Sequence, residues 1–390
     1  MTTAEKKETG GVLHGYQGLQ NLLCLLFATS VLKKTIDVWH EDGFMFFIPT
    51  NLLERKNMSR LVQKTVAVFV CVLALFGTKR KNSVAVSNTV FSLLALALHA
   101  LLFVLKTKII FIDTVFGLWT LSVFLKLYSY NSYCNTHGHS SPGHFLYFMA
   151  CPSLVFKPEY KRTEHRQKKA ILKNLVGCLF FSLVVYLELA KELPPKIQTA
   201  LGHRREGRTL LLVSSIIGIG HSSAVVWLAG FKLFFDQFLS LVAEIEMFHH
   251  REFYHDWWNS HTVEVYWRRW NLPVHLWLKH HLYIPLRKRY SRPVSSAIVF
   301  CVSAISHEVV AGAGCGFFTG IVFLGMVAQP LLGAVVLEST RPHNSAVFSN
   351  CLLWTSVCFL FTPLILLSYG ERLGSQTDRV NQSLAGRGTM

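Results

Sequence analysis

Stretches of about 20 largely apolar residues recur along this chain, and short basic turns separate them. A helix needs about that length to cross the hydrocarbon of a bilayer. No water is available there, so each backbone N–H and C=O must be satisfied within its own segment or a closed sheet. The runs fall at Leu19–Leu32, Leu61–Phe76, Val84–Leu105, Ile109–Tyr128, Ala170–Ala190, Thr209–Phe235, Val294–Phe318, Thr319–Leu337 and Val347–Tyr369. We therefore expect an all-α, polytopic transmembrane bundle of about eight or nine spans. Composition agrees: 16% of residues are charged, against about 25% in soluble domains. The formal net charge is +17. The Lys and Arg residues gather between the oily runs, at Lys79–Lys81, Lys157–Lys169, His203–Arg208 and Arg287–Arg292. Basic loops on a cytosolic face explain that pattern, and a nucleic-acid partner does not.

The start, MTTAEKKETGG, is polar and lacks an apolar core, so insertion is expected to rely on internal spans. The nine cysteines form no CxxC pair and read as small buried hydrophobes. Several runs carry polar residues: Asn88, His99, Asp113, His221, and His307 beside Glu308. Such groups are costly at bilayer depth unless they face protein or water, so a bundle around a wet chamber is expected. A polar loop is expected over Asn131–His144.

The densest polar and aromatic cluster is FYHDWWNSHTVEVYWRRWNLPVH, Phe253–His275. Before it, positions 234, 238, 241, 245 and 248 mark the apolar face of a helix, with Asp236, Gln237, Ser240 and Glu244 opposite. Val263–Trp270 reads as a second amphipathic segment. Asn271 is placed to cap a helix that restarts at Pro273. Residues 234–283 are thus expected to form a bent interfacial element, with Trp and Tyr in the headgroup zone.

His307 lies mid-way along an apolar helix. It is either a histidine satisfied by a backbone carbonyl or a neutral imidazole serving as general base. HEVVA lacks the second His of a zinc-protease motif, and His249, His250, His255, His261, His275, His280 and His281 match no standard metal spacing; no metal is expected. Asp256 is a helix cap or a carboxylate ordering the chamber. Asn271 is an ordinary cap or an amide aimed at an oxyanion, and His275, four residues on, shares its face. Gln329 is either a helix–helix hydrogen bonder or a chamber group.

FYHDWWN (Phe253–Asn259) resembles the FYxDWWN signature of the sterol and diacylglycerol branch of the membrane-bound O-acyltransferases. WNLPVHLW (Trp270–Trp277), SAISHE (Ser303–Glu308) and GMVAQ (Gly325–Gln329) resemble its next blocks, in order. FLKLYSY (Phe124–Tyr130) and YFMACPSLVFKPEY (Tyr147–Tyr160) resemble earlier ones. The resemblance implies an endoplasmic-reticulum enzyme, homodimeric or homotetrameric, that transfers a fatty acyl group from acyl-CoA to a lipid hydroxyl. It needs no cofactor beyond acyl-CoA as cosubstrate. His307 then resembles the catalytic histidine and Asn271 the asparagine of the acyl-CoA site. Met326, Gln329 and Ser303 resemble chamber-lining residues, and His275 and Glu308 are grouped with them. Phe253, Tyr254, Asp256, Trp257, Trp258 and Asn259 would form the gate where CoA meets the chamber. Arg268, Arg269 and Arg287–Arg289 would meet its phosphates or simply anchor the cytosolic face. KHHLYIPLR resembles the diacylglycerol branch more than the sterol branch, which implies triacylglycerol as product. Steryl-ester synthesis and a non-catalytic lipid-binding or transport protein of the same fold are the alternatives. By this reading residues 1–18 and 371–390 are tails, and 19–370 form the acyltransferase domain.

Overall fold

A computed structural model describes residues 17–42, 54–81, 93, 97–98, 100–101, 103–107, 109–138, 140–260, 262–339 and 346–373 (backbone alone at 17–21, 41–42, 74–81, 331–339 and 346). The expected span Val84–Leu105 with Asn88 and His99, most of both tails, and His261 lie wholly or largely outside these residues.

The described chain is helical, as the apolar runs require. Helix α1, Gln17–Asp42, belongs to a unit of its own, residues 1–49. In the second unit α2 is Arg55–Lys81, α3 Ile110–His137 and α4 Pro142–Ala150. Next come α5, Lys168–Arg205, and α6, Thr209–Ile245. After a 3-10 turn at Trp257–Asn259 follow α7, Val263–Arg269, and α8, residues 272–287. Helix α9 is Arg292–Cys315, α10 Ile321–Ser339 and α11 Val347–Leu373. Among the described residues, five helices (α3, α5, α6, α9 and α11) are long and apolar enough to cross a membrane. The expected runs Leu19–Leu32 and Leu61–Phe76 fall within α1 and α2, and Thr319–Leu337 does so in α10 from Ile321 on.

Two local expectations change. The polar stretch from Asn131 is not a loop: α3 runs on to His137, and Ser141 already caps α4 by accepting the His144 N–H at 3.3 Å. Nor do residues 234–245 form a separate surface helix, because α6 continues through them by a π-helical turn at Lys232–Phe238. Their amphipathicity is inverted relative to a soluble protein. Phe234, Phe238 and Ile245 are exposed, whereas Gln237 and Glu244 are buried. In a bilayer the outward face meets lipid, so apolar side chains belong there and polar ones face other helices.

Helix α9 carries His307, and its seat is set by small residues and a buried charge pair. A methyl group at Gly314 would lie 2.1 Å from Thr114 Oγ1 of α3, so only glycine permits that approach. Near the start of α3, Asp113 takes Lys64 of α2 at 2.5 Å, with both side chains almost fully buried, and accepts the N–H of Thr107 at 2.9 Å. A buried carboxylate needs such partners, since the desolvation of either charge alone is severe.

The largest core is aromatic: Tyr130, Phe145, Phe148, Phe156, Phe231, Phe235, Phe248, Phe253, Trp257 and Tyr266 pack as one cluster. It joins α3, α4 and α6 to the FYHDWWN turn. Buried Lys126 of α3 donates to the carbonyls of Phe148, Met149 and Cys151 at 2.6–3.0 Å, closing the end of α4. A cation suits a helix C-terminus, where carbonyls lack intrahelical partners.

Candidate active site

The site starts from a short backbone clasp. The carbonyl of Phe253 accepts the N–H of Leu272 at 3.0 Å, and the N–H of His255 donates to the carbonyl of Arg269 at 2.9 Å. FYHDWWN and WNLPVH are thereby one folded unit, with Trp270 and Asn271 held between the two bonds. Asn271 caps α8: its Oδ1 accepts the Val274 N–H at 3.2 Å, and Pro273 supplies the fixed φ of an early helical residue. Its Nδ2 donors make no hydrogen bond among the described residues, so capping uses only the oxygen of the amide.

His307 is bound the same way, on one side only. Its Nδ1 lies 2.8 Å from the carbonyl oxygen of Ser303, one turn earlier on α9. A carbonyl can only accept, so Nδ1 carries the proton and Nε2 of the neutral ring keeps a lone pair. A backbone carbonyl therefore satisfies one nitrogen of this histidine, and the lone pair of the other is left unused. Ser303 contributes its carbonyl to this arrangement. Trp267 stands edge-on to the imidazole, ring centroids 6.0 Å apart. Trp257–Tyr266 (5.8 Å) and Tyr266–Trp267 (5.3 Å) extend the aromatic contacts back to the FYHDWWN turn.

Glu308, beside the histidine, points another way. Its Oε1 accepts the N–H groups of Thr319 and Gly320 at 2.9 and 2.7 Å, and its Oε2 those of Val322 and Phe323 at 3.1 and 3.2 Å. One carboxylate thus caps α10, the helix bearing Met326 and Gln329, and pins it to α9. The connection turns on Gly316 and Gly320, both at positive φ. Met326 is buried, and Gln329 Oε1 is buried without a hydrogen-bond partner.

The gate residues divide by role. Phe253 and Trp257 are core, 3% and 1% exposed. Trp258 faces outward at 43% exposure. The tight turn places adjacent side chains on opposite sides. It is the backbone carbonyl of Trp258 that binds, accepting Asn350 Nδ2 of α11 at 2.8 Å. Tyr254 donates to Asp236 Oδ1 at 2.8 Å, and burial followed by that carboxylate pushes the phenol up to about 12. Asp256 makes no cap but pairs with Arg269 at 3.0 Å in an exposed contact. Asn259 is exposed and bonds through its backbone. Of the basic residues considered for CoA, Arg268 and Arg269 pair with Glu264 and Asp256, and Arg287 donates to the Tyr290 carbonyl. Lys288 and Arg289 are exposed and make no ion pair among the described residues.

On α8, burial lowers the pKa of His275, and the charges of Lys279 and Arg268 add to the effect. Burial brings His281 down to about 4, with His280 contributing. A neutral His281 holds Ser129 of α3 at 2.8 Å through Nε2, while that hydroxyl accepts the N–H of Phe156 at 2.8 Å. Trp277 adds a bond from Nε1 to the Leu125 carbonyl, 2.8 Å. Sequence reading missed this junction between FLKLYSY and KHHLYIP, along with the roles of Trp267 and Lys126. Motif order gives no indication of which distant blocks touch.

Residues 209–369, the stretch that holds the clasp, His307 and Gln329, match the family model of MBOAT, the membrane-bound O-acyltransferase family. That stretch is therefore similar to a membrane-bound O-acyltransferase domain. Among curated proteins, the chain is 33% identical to Diacylglycerol O-acyltransferase 1C of Glycine max over 60% of its own length and 46% of the relative's. It is 32% identical to Diacylglycerol O-acyltransferase 1-2 of Oryza sativa subsp. japonica, over 60% and 50%. With Diacylglycerol O-acyltransferase 1 of Dictyostelium discoideum the identity is 34%, over 57% and 36%. The chain spans about half the length, or less, of the curated relatives it matches.

Proposed function

We propose that this protein transfers a fatty acyl group from acyl-CoA to the free hydroxyl of diacylglycerol, forming triacylglycerol in the endoplasmic-reticulum membrane. The observation that carries the reading is the one-sided bonding of His307, which leaves the Nε2 lone pair unused within a stretch that matches the membrane-bound O-acyltransferase family. The names of the relatives support the acceptor.

The chemistry follows from the groups present. A lipid hydroxyl has a pKa far above neutrality, so it attacks a thioester only as its proton leaves. Nε2 of His307 takes that proton while the hydroxyl oxygen bonds the acyl carbon. The negative charge that grows on the thioester oxygen needs donors already in position, and the free Nδ2 of Asn271 is suited to be one. Collapse breaks the C–S bond, and the imidazolium returns the proton to the CoA thiolate. The Ser303 carbonyl fixes the ring throughout and stabilises the transient positive charge. Lys288 and Arg289 are suited to the CoA phosphates. We further propose a homodimer or homotetramer, as the resemblance implies.

The test is purified protein in nanodiscs with labelled oleoyl-CoA and equal amounts of diacylglycerol and cholesterol. Triacylglycerol should dominate, and His307→Ala should lower turnover by about 10²–10⁴-fold, the usual worth of general-base catalysis. Predominant steryl ester would overturn the acceptor and leave the reaction type standing. No ester at all would overturn the enzyme reading.

A further inference from the structure

The indole of Trp267 adds a group to this site that neither the motifs nor the relatives assign. Helix α7 is capped by Thr262, whose Oγ1 accepts the Val265 N–H at 3.2 Å, and it packs against α10. That geometry sets Trp267 against one face of α9. Its ring lies edge-on to both Phe300 (5.9 Å) and His307 (6.0 Å), residues seven apart and so two turns along the same stripe. Trp270 closes a further side at 5.8 Å. Within this packing Nε1 of Trp267 is buried and has no hydrogen-bond partner.

An indole N–H can only donate, and leaving it buried and unpaired costs free energy that a neighbouring acceptor would recover. Nearby chemistry narrows what that acceptor is. His307 Nε2 and Gln329 Oε1 are themselves acceptors, and neither bonds Trp267. Acyl transfer requires a carbonyl oxygen at the base, and this oxygen gains charge as the hydroxyl adds. We propose that the Nε1–H of Trp267 donates to the thioester carbonyl oxygen of bound acyl-CoA and to the oxyanion it becomes. Trp267 is thus a second donor beside Asn271. The inference rests on the acyl transfer proposed above.

The test is Trp267→Phe in otherwise full-length protein, which keeps the ring packing and removes the N–H. Losing one oxyanion donor lowers kcat by about 10²–10³-fold; KM and Tm should stay near wild type. Trp227→Phe removes another buried indole N–H from the same aromatic cluster and should leave kcat within about twofold. A second readout is the carbonyl stretch of an unreactive acyl-CoA ketone analogue, with CH2 in place of sulfur and ¹³C at the carbonyl. The band should shift down on binding wild type and move back in Trp267→Phe. Wild-type turnover in Trp267→Phe, an equal kcat loss in Trp227→Phe, a Tm loss matching the kcat loss, or a band indifferent to the substitution would each overturn the proposal. If wild type itself forms no ester, the failure belongs to the acyl-transfer reading instead.

Discussion

Glu308 Oε1 accepts the backbone N–H of Gly320 at 2.7 Å, twelve residues further along the chain. The acidic residue next to the proposed base therefore serves the neighbouring helix. Four N–H groups converge on its carboxylate, and hydrogen bonds to a charged acceptor are worth about 1.5–3 kcal/mol each. Glu308→Gln keeps the size but places an NH2 against two donors. Turnover and Tm should fall together, read by ester formation and thermal unfolding in one detergent. Normal Tm with lost turnover would instead place the carboxylate against substrate.

Asn271 separates its two roles by atom. Asn271→Asp retains the oxygen that caps α8 and loses the Nδ2 donors. Thermal stability should hold while turnover drops by about 10²-fold or more. Asn271→Ala loses the cap as well, at about 1 kcal/mol. Equal turnover in the Asp variant and wild type would reduce Asn271 to a cap.

The two adjacent tryptophans of the signature should behave unlike each other. Trp257 is fully buried, and truncating such a side chain costs about 3–5 kcal/mol. Trp257→Ala should markedly lower the yield of detergent-stable protein. Trp258→Ala, at an exposed site, should stay close to wild-type Tm. The comparison is made by size-exclusion profile after graded heating.

His281 makes the α3–α8 junction sensitive to acid. Its folded pKa, about 4, lies below the ordinary value near 6.5. Between those values the unfolded chain binds the extra proton and the folded one does not, so stability rises with pH across that window. Above about pH 6.5 the contribution is flat. Tm should therefore fall as pH drops from about 6.5 to 4, and less steeply in His281→Gln, which reaches Ser129 but does not titrate. Parallel Tm–pH curves for the two proteins would remove His281 from this role.

Much of this architecture was legible in the order of residues. Apolar runs of bilayer length announced the long helices, and Asn-Leu-Pro at 271–273 announced a cap that the structure shows. His307 stood out because an ionisable ring amid apolar neighbours needs a reason. What stayed hidden was long-range. Nothing local tells that Ser129 meets His281, or that Lys126 closes α4. The helical pattern at 234–245 was seen correctly, but its orientation depends on whether lipid or water lies outside. The roles of Trp257 and Trp258 turned on a three-residue 3-10 turn that periodicity cannot register.

The inverted face of α6 also bears on engineering. Phe234, Phe238 and Ile245 lie on the exposed face and answer largely to the solvent around them, whereas Gln237 and Glu244 are bound into the interior. A water-soluble redesign would therefore repaint the three outer positions with Glu, Lys or Gln and copy the inner polar residues unchanged. That is the reverse of the instinct to treat charged positions as the expendable surface.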